Sequence, residues 1–130
     1  MLVNIPLDVT ELAEGADSDA VAMGGKATGL LPYGQRGANS YTQFFKGDKQ
    51  MGGTYGGYDG PCPPWNDERT HRYRFTVYAL STGHLDLYGS FSGPDAVDAL
   101  RGHVLDEATI TGLYALSDVA RIPQPVSIYG

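Results

Sequence analysis

The most distinctive chemistry of this chain lies in the segment 58–64, YDGPCPP, and at the start of the stretch that follows it. Three prolines among residues 61–64 make a stiff turn with few N–H groups left to donate. Gly60 lets the backbone approach a ligand closely. His71 and Tyr73 are two positions apart, so on a strand they point to the same side and offer hydrogen-bond donors to a small anion. The alternative is a loop that only ends strands, followed by a surface histidine.

Other chemistries have less support in the sequence. Cys62 and His71 could form a nucleophile and base, but no third residue that would orient the histidine is identifiable, so we predict no catalytic residue. We place Cys62 and Trp65 at the rim of the anion pocket, where Trp65 either covers the mouth or packs. A single cysteine cannot make an internal disulfide or a cysteine-rich zinc site, and the glycine pairs lack the spacing and lysine of a P-loop. We therefore predict no metal and no cofactor.

The stretch after the proline turn is the clearest strand. In residues 72–80, RYRFTVYAL, apolar and aromatic residues occupy alternate positions, which is the period of a strand. A turn at 81–83 leads to a second predicted strand at 84–88. Further strands are predicted at 2–6 and 108–116.

One helix is predicted, over residues 92–105. Ser92 or Gly93 can cap it, and Pro94 suits its first position. Spacings of three and four then give one apolar stripe, formed by Val97, Leu100 and Val104.

The remaining segments are predicted to lack regular structure. Residues 24–60 form a long Gly/Tyr-rich loop, of a length that often carries function, and its aromatic side chains anchor it to the body of the protein. Residues 8–19 are predicted to be a solvated acidic loop, and residues 121–130 an extended surface segment.

Length and charge limit the function classes. The 130 residues fit one domain, and the net charge of −6 argues against binding to nucleic acid. No run approaches the ~20 apolar residues of a membrane helix. The first residues do not show a basic region followed by an apolar stretch, so we predict a cytoplasmic protein with no integral membrane segment.

Residues 58–80, YDGPCPPWNDERTHRYRFTVYAL, resemble the ligand loop and following strand of the phosphatidylethanolamine-binding protein family. That family includes the Raf kinase inhibitor proteins, plant flowering regulators and small bacterial and archaeal members. NIP at 4–6 and GHVL at 102–105, followed by Gly112 and Tyr114, also match, and the cysteine in the motif is similar to the bacterial branch.

The resemblance implies a mainly β protein, with an antiparallel β-sandwich, one C-terminal helix and the long Gly/Tyr-rich loop, as a single domain over residues 1–130. It implies a pocket for phosphate or phosphorylated head groups. Gly60 and Pro61 would form one wall of that pocket, His71 would donate to the anion, and Tyr73 would line the same side.

The resemblance also implies an N-terminally shortened domain. Family members carry an Asp-Pro-Asp motif and a His-Trp pair ahead of the segment that corresponds to residues 4–6, and neither is present here. The chain would then be a C-terminal piece, or be completed by another chain, or rebuild its sheet by dimerisation or strand exchange.

Three functions follow from these patterns. The first is binding of a small anionic ligand, with possible modulation of a protein partner. The second is an inhibitor or scaffold that docks on a kinase or protease through Tyr58, Trp65 and residues 24–57. The third is a biosynthetic cyclase or isomerase that uses His71 as its acid–base group.

Overall fold

The computed structural model of the chain describes residues 1–18, 21–64 and 66–116. Trp65 and the predicted segment 121–130 lie outside the described residues. The chain divides into two compact units, the first of Met1–Gly60 and Thr82–His103 and the second of Pro61–Ser81 and Val104–Gly130. The structure is mainly β with antiparallel sheets, as predicted. Packing of the sheets as a sandwich stays a prediction.

The first unit contains a three-stranded sheet. Its strands are β1 (Leu2–Val3), β2 (Gly29–Leu31) and β3 (Gly34–Arg36), and β3 lies in the middle. β2 and β3 are joined by a two-residue turn, with Leu31 paired to Gly34, which is the shortest common hairpin connection.

β1 is shorter than the predicted strand at 2–6 because Asn4 has a φ of 52°. Asparagine is one of the few residues other than glycine that tolerates this left-handed region. The turn lets the Asn4 side chain donate to the Gln35 side chain at 2.9 Å and to the backbone oxygen of Leu85 at 2.9 Å. One side chain therefore joins three separate segments of the first unit.

The predicted strand at 84–88 is wrong, because these residues are described without strand pairing. Their backbone groups bond to side chains instead. The Leu85 N–H donates to the Asn4 side-chain oxygen at 2.6 Å, and the Leu87 backbone oxygen accepts from the Gln35 side chain at 2.7 Å. These bonds satisfy buried polar groups as a ladder would, while Leu85 itself is buried in the core.

The stretch 24–60 is not one long loop, because it contains β2, β3 and a short helix, α1 (Tyr41–Phe44). Its aromatic residues pack against one another, while their anchoring of the stretch to the rest of the protein stays a prediction. Tyr55 is fully buried, and its ring centroid lies 5.8 Å from that of Tyr41 and 5.4 Å from that of Phe45. These separations are typical of aromatic pairs that add to burial energy.

The predicted helix is present as α2 (Gly93–Leu100), but it is shorter than 92–105. Its start is as predicted, since Ser92 accepts from the Asp95 N–H and the Asp95 side chain accepts from the Ser92 N–H, a capping box. The chain leaves the helix at Arg101, and Gly102 turns it with a φ of 78°. The predicted apolar stripe is wrong, because Val97 is exposed and Ala96 is the buried residue of α2.

The second unit is built on a two-stranded antiparallel ribbon. β4 (His71–Leu80) begins one residue before the predicted strand, and β5 (Val104–Tyr114) begins four residues before its prediction because α2 ends early. The register pairs His71 with Tyr114 and Val77 with Ala108. Much of the ribbon's apolar surface is exposed, including Val77 and Ile110.

Candidate functional site

β4 places His71 and Tyr73 on one face of the ribbon, as the alternation predicted. Their partners across the ribbon are Tyr114 and Gly112, and directly opposed residues of an antiparallel pair share a face. The absence of a side chain on Gly112 leaves space beside the Tyr73 ring on that face. Both His71 and Tyr73 are half-buried, so they can be reached from solvent but are held by their surroundings.

The proline turn is tied to this strand through Tyr73. Burial raises the pKa of Tyr73 above its ordinary value, while a hydrogen bond from the backbone of Cys62 to its oxygen acts in the opposite direction. Tyr73 and Cys62 are therefore brought together. The Cys62 thiol itself is free and exposed, and its place at a pocket rim stays a prediction.

The described structure adds two residues that the sequence did not single out, Asp67 and Arg69. The Asp67 carboxylate lies between the guanidinium of Arg69 and the ring of His71. Its Oδ2 is 2.9 Å from the His71 Nε2 and 3.0 Å from the Arg69 Nη2. Its Oδ1 accepts from the Arg69 backbone N–H at 2.9 Å and from the Arg69 Nε at 3.1 Å. We call Asp67, Arg69 and His71 the Asp67 cluster.

The Asp67 cluster is strongly polarised. The hydrogen bonds from the Arg69 side chain, the Arg69 backbone and the His71 ring hold the pKa of Asp67 well below its usual range. The carboxylate is thus charged at any physiological pH. It is also the orienting group for His71 that the sequence did not reveal, because an aspartate four residues before a histidine in a loop has no fixed direction.

The structure gives less information about Gly60 and Pro61, the two residues that were predicted to form a wall of the pocket. Pro61 is exposed and belongs to the second unit with Cys62, His71 and Tyr73, whereas Gly60 is the last residue of the first unit. Gly60 has a φ of 87°, a left-handed conformation that favours glycine. The roles of Gly60 and Pro61 as a pocket wall stay predictions.

A second charged group lies just before the turn, in the first unit. The buried Asp59 carboxylate is 3.2 Å from the Lys26 ammonium and accepts from the Asn39 side chain at 2.6 Å. The Lys26 ammonium also donates to the Tyr58 backbone oxygen at 2.9 Å. These bonds fix the backbone that leads to Gly60. Sequence reasoning missed this contact because Lys26 is far from Asp59 along the chain.

Among residues 1–18, 21–64 and 66–116, no group of three or more histidine, cysteine, aspartate or glutamate side chains is arranged to hold a metal ion. Within the same residues, no helix is long and apolar enough to cross a membrane.

The comparisons with known proteins agree with the motif. The sequence model described as phosphatidylethanolamine-binding protein matches residues 1–115. The chain belongs to that family. It is 39% identical over 115 residues to a UPF0098 protein of Methanothermobacter thermautotrophicus and 33% identical over 115 residues to the UPF0098 protein YbhB of Escherichia coli.

In both alignments, 88% of this chain is covered, and the chain spans only 60% of each relative's length. A shorter match, 43% identical over 61 residues, is to a UPF0098 protein of Archaeoglobus fulgidus, with 47% of this chain and 19% of that protein covered. No solved structure gave a significant match. The family assignment therefore rests on sequence.

Proposed function

We propose that this member of the phosphatidylethanolamine-binding protein family binds a small anion, phosphate or a phosphorylated head group, on the face of β4 that carries His71 and Tyr73. The support comes from one observation: two donor side chains share that face, and the proline turn is bonded to one of them through Cys62. Pro61, which lies in the same unit as His71 and Tyr73, completes the proposed site from the turn.

The physical basis is hydrogen bonding from fixed donors. An imidazole N–H and a phenol O–H can both donate to phosphate oxygens, and donors held in place before binding lose little conformational freedom. Family membership supports the same ligand class, because the family is described by binding of a phospholipid with a phosphate head group.

A phosphate titration followed by amide NMR tests the proposal. We expect shifts concentrated at His71 and Tyr73 in the parent protein. His71→Ala should weaken phosphate binding about 10- to 100-fold, the usual worth of a hydrogen bond to a charged group. His84→Ala is the matched control, since His84 is an exposed histidine of the first unit. Unchanged phosphate affinity in His71→Ala would exclude the site.

A second proposal concerns a protein partner, and the exposed apolar ribbon favours it. Val77 and Ile110 lie on the same face, and a two-stranded ribbon is marginal without a covering layer. We propose that a second copy of the chain covers the part of this face around Val77 and Ile110 in a homodimer, while the end of the same face at His71 stays open to the anion.

Docking on a kinase or protease, and a cyclase or isomerase reaction at His71, stay predictions with less support than anion binding. A test for turnover belongs with them, because the Asp67–His71 pair resembles an oriented acid–base group. The cytoplasmic location also stays a prediction, which fractionation of source cells would test.

A further inference from the structure

The Asp67 cluster already contains a bound anion, which is the protein's own carboxylate. Four polar contacts of 2.9 to 3.1 Å surround it, three from Arg69 and one from His71. A guanidinium fork and an imidazole are the donors that proteins use for carboxylates and phosphates. The side chain of Asp67 is only 11% exposed, whereas that of Arg69 is 83% exposed.

These contacts have a consequence for any external ligand at His71. The Asp67 carboxylate contacts the Nε2 atom of His71. It also accepts hydrogen bonds from the Nε and Nη2 atoms of Arg69. An anion that approached while Asp67 remained in place would meet a negative charge beside the histidine. The His71 Nε2 and the Arg69 Nε and Nη2 atoms become available together only when the carboxylate turns away.

We propose that Asp67 is an internal competitor for the anion site, and that a phosphate-bearing ligand binds His71 and Arg69 by displacing the Asp67 carboxylate. The inference rests on the proposed function of His71 as a ligand-binding residue, and it adds Arg69 to the site. Displacement requires rotation of the Asp67 side chain in a turn. Residues 66–70 have no regular secondary structure, so no helix or strand has to open for this movement.

The competition limits which ligands bind strongly enough to be detected. The chain holds the Asp67 carboxylate at a high local concentration beside His71. A free monocarboxylate has the same charge but is not tethered, so it competes poorly with Asp67. A phosphomonoester carries about −1.5 to −2 charges and three acceptor oxygens, and can therefore outcompete the internal carboxylate. The parent protein should therefore bind phosphate measurably and acetate not, and removal of Asp67 should raise both affinities by the same factor.

The test is the phosphate and acetate affinity of Asp67→Ala, measured by amide NMR at pH 7 and constant ionic strength. We expect Asp67→Ala to bind phosphate about tenfold tighter than the parent protein and to gain measurable acetate binding. Adding Arg69→Ala to Asp67→Ala should remove that gain. Glu68→Ala removes the same charge from an exposed neighbouring position and should leave both affinities within about twofold of the parent.

Each outcome separates the two proposals. If Asp67→Ala binds phosphate no more tightly than the parent, the competitor inference is overturned, while loss of binding in His71→Ala would still support the anion site. If His71→Ala binds phosphate normally, the proposed function fails. Asp67→Asn, which keeps the side-chain volume, replaces Asp67→Ala if the alanine variant does not give a dispersed spectrum, and its expected gain is the same.

Discussion

Thr111 has a buried hydroxyl on β5. Its side chain is 1% exposed, and its Oγ1 has no hydrogen-bond partner in the described part of the chain. A buried polar atom without a partner costs free energy that a methyl group of the same size does not.

We therefore expect Thr111→Val to leave the free energy of unfolding unchanged or to raise it by about 1 kcal/mol. Urea denaturation measures this difference. Thr109→Val is the matched control, because Thr109 lies two positions away on the same face and its hydroxyl is 2.8 Å from that of Thr76 in an exposed pair. A loss of stability in Thr111→Val larger than in the control would show that the hydroxyl is satisfied.

At the residue scale, the alternation of side chains along a strand correctly predicted which residues share a face, because this depends only on the direction of the backbone. The shared face of His71 and Tyr73 is of this kind. Asp67 could not be predicted, because its direction is set by a side-chain bond to the Arg69 N–H in a turn. Asp59 was missed for another reason, since its partner Lys26 comes from a distant segment.

At the element scale, α2 depends on its first turn. Hydrogen bonds from the backbone and side chain of Ser92 hold the pKa of Asp95 below its ordinary value of 3.8. A carboxylate whose pKa is lower in the folded state stabilises the protein above its unfolded pKa, and the contribution is lost as the pH falls through the folded value.

The capping box should therefore show a defined pH dependence. Asp95→Asn should lower the melting temperature at pH 6, and the difference from the parent should shrink as the pH falls below about 4. Ser92→Ala should cost about 1 kcal/mol at pH 6. Asp98→Asn is the control, since Asp98 lies beyond the first turn in an exposed pair with Arg101. A constant difference from pH 6 to pH 3 would contradict the capping role of the Asp95 charge.

Helix and strand boundaries were predicted correctly where the residues that determine them are close together in the sequence. The start of α2 was predicted because its cap, proline and acidic residue are adjacent in sequence. Its end was placed too late because the apolar spacing continues past the Gly102 turn into β5. The strand at 84–88 failed because Asn4 and Gln35, both far away in sequence, take its backbone bonds.

At the scale of the whole molecule, the exposed ribbon face predicts self-association. Light scattering after size-exclusion chromatography should give twice the chain mass of 13.9 kDa for the parent protein. Val77→Lys should give the monomer mass, because it places a charge in the apolar contact. Thr76→Lys adds the same charge to the opposite face and should remain dimeric. A monomeric parent protein at all concentrations would exclude this dimer.

The overall class of the molecule was predictable from a few local features. The turn and strand at residues 58–80 indicated the family, and the family model matches residues 1–115. The division into two units was not predicted, because each unit combines stretches that are separated along the chain.

The first unit is made of two stretches that are separated along the chain, and this determines when it can fold during synthesis. Asn4 bonds to the backbone of Leu85, 81 residues later, and β3 is followed by Ala38, whose N–H donates to the Phe91 oxygen at 2.8 Å. Chains emerge from the ribosome starting at the N-terminus, so the first unit lacks these partners until residue 91 has left the exit tunnel. Until then, the early segments of the nascent polypeptide lack the residues that pack against them. Chaperones act on incompletely folded chains of this kind.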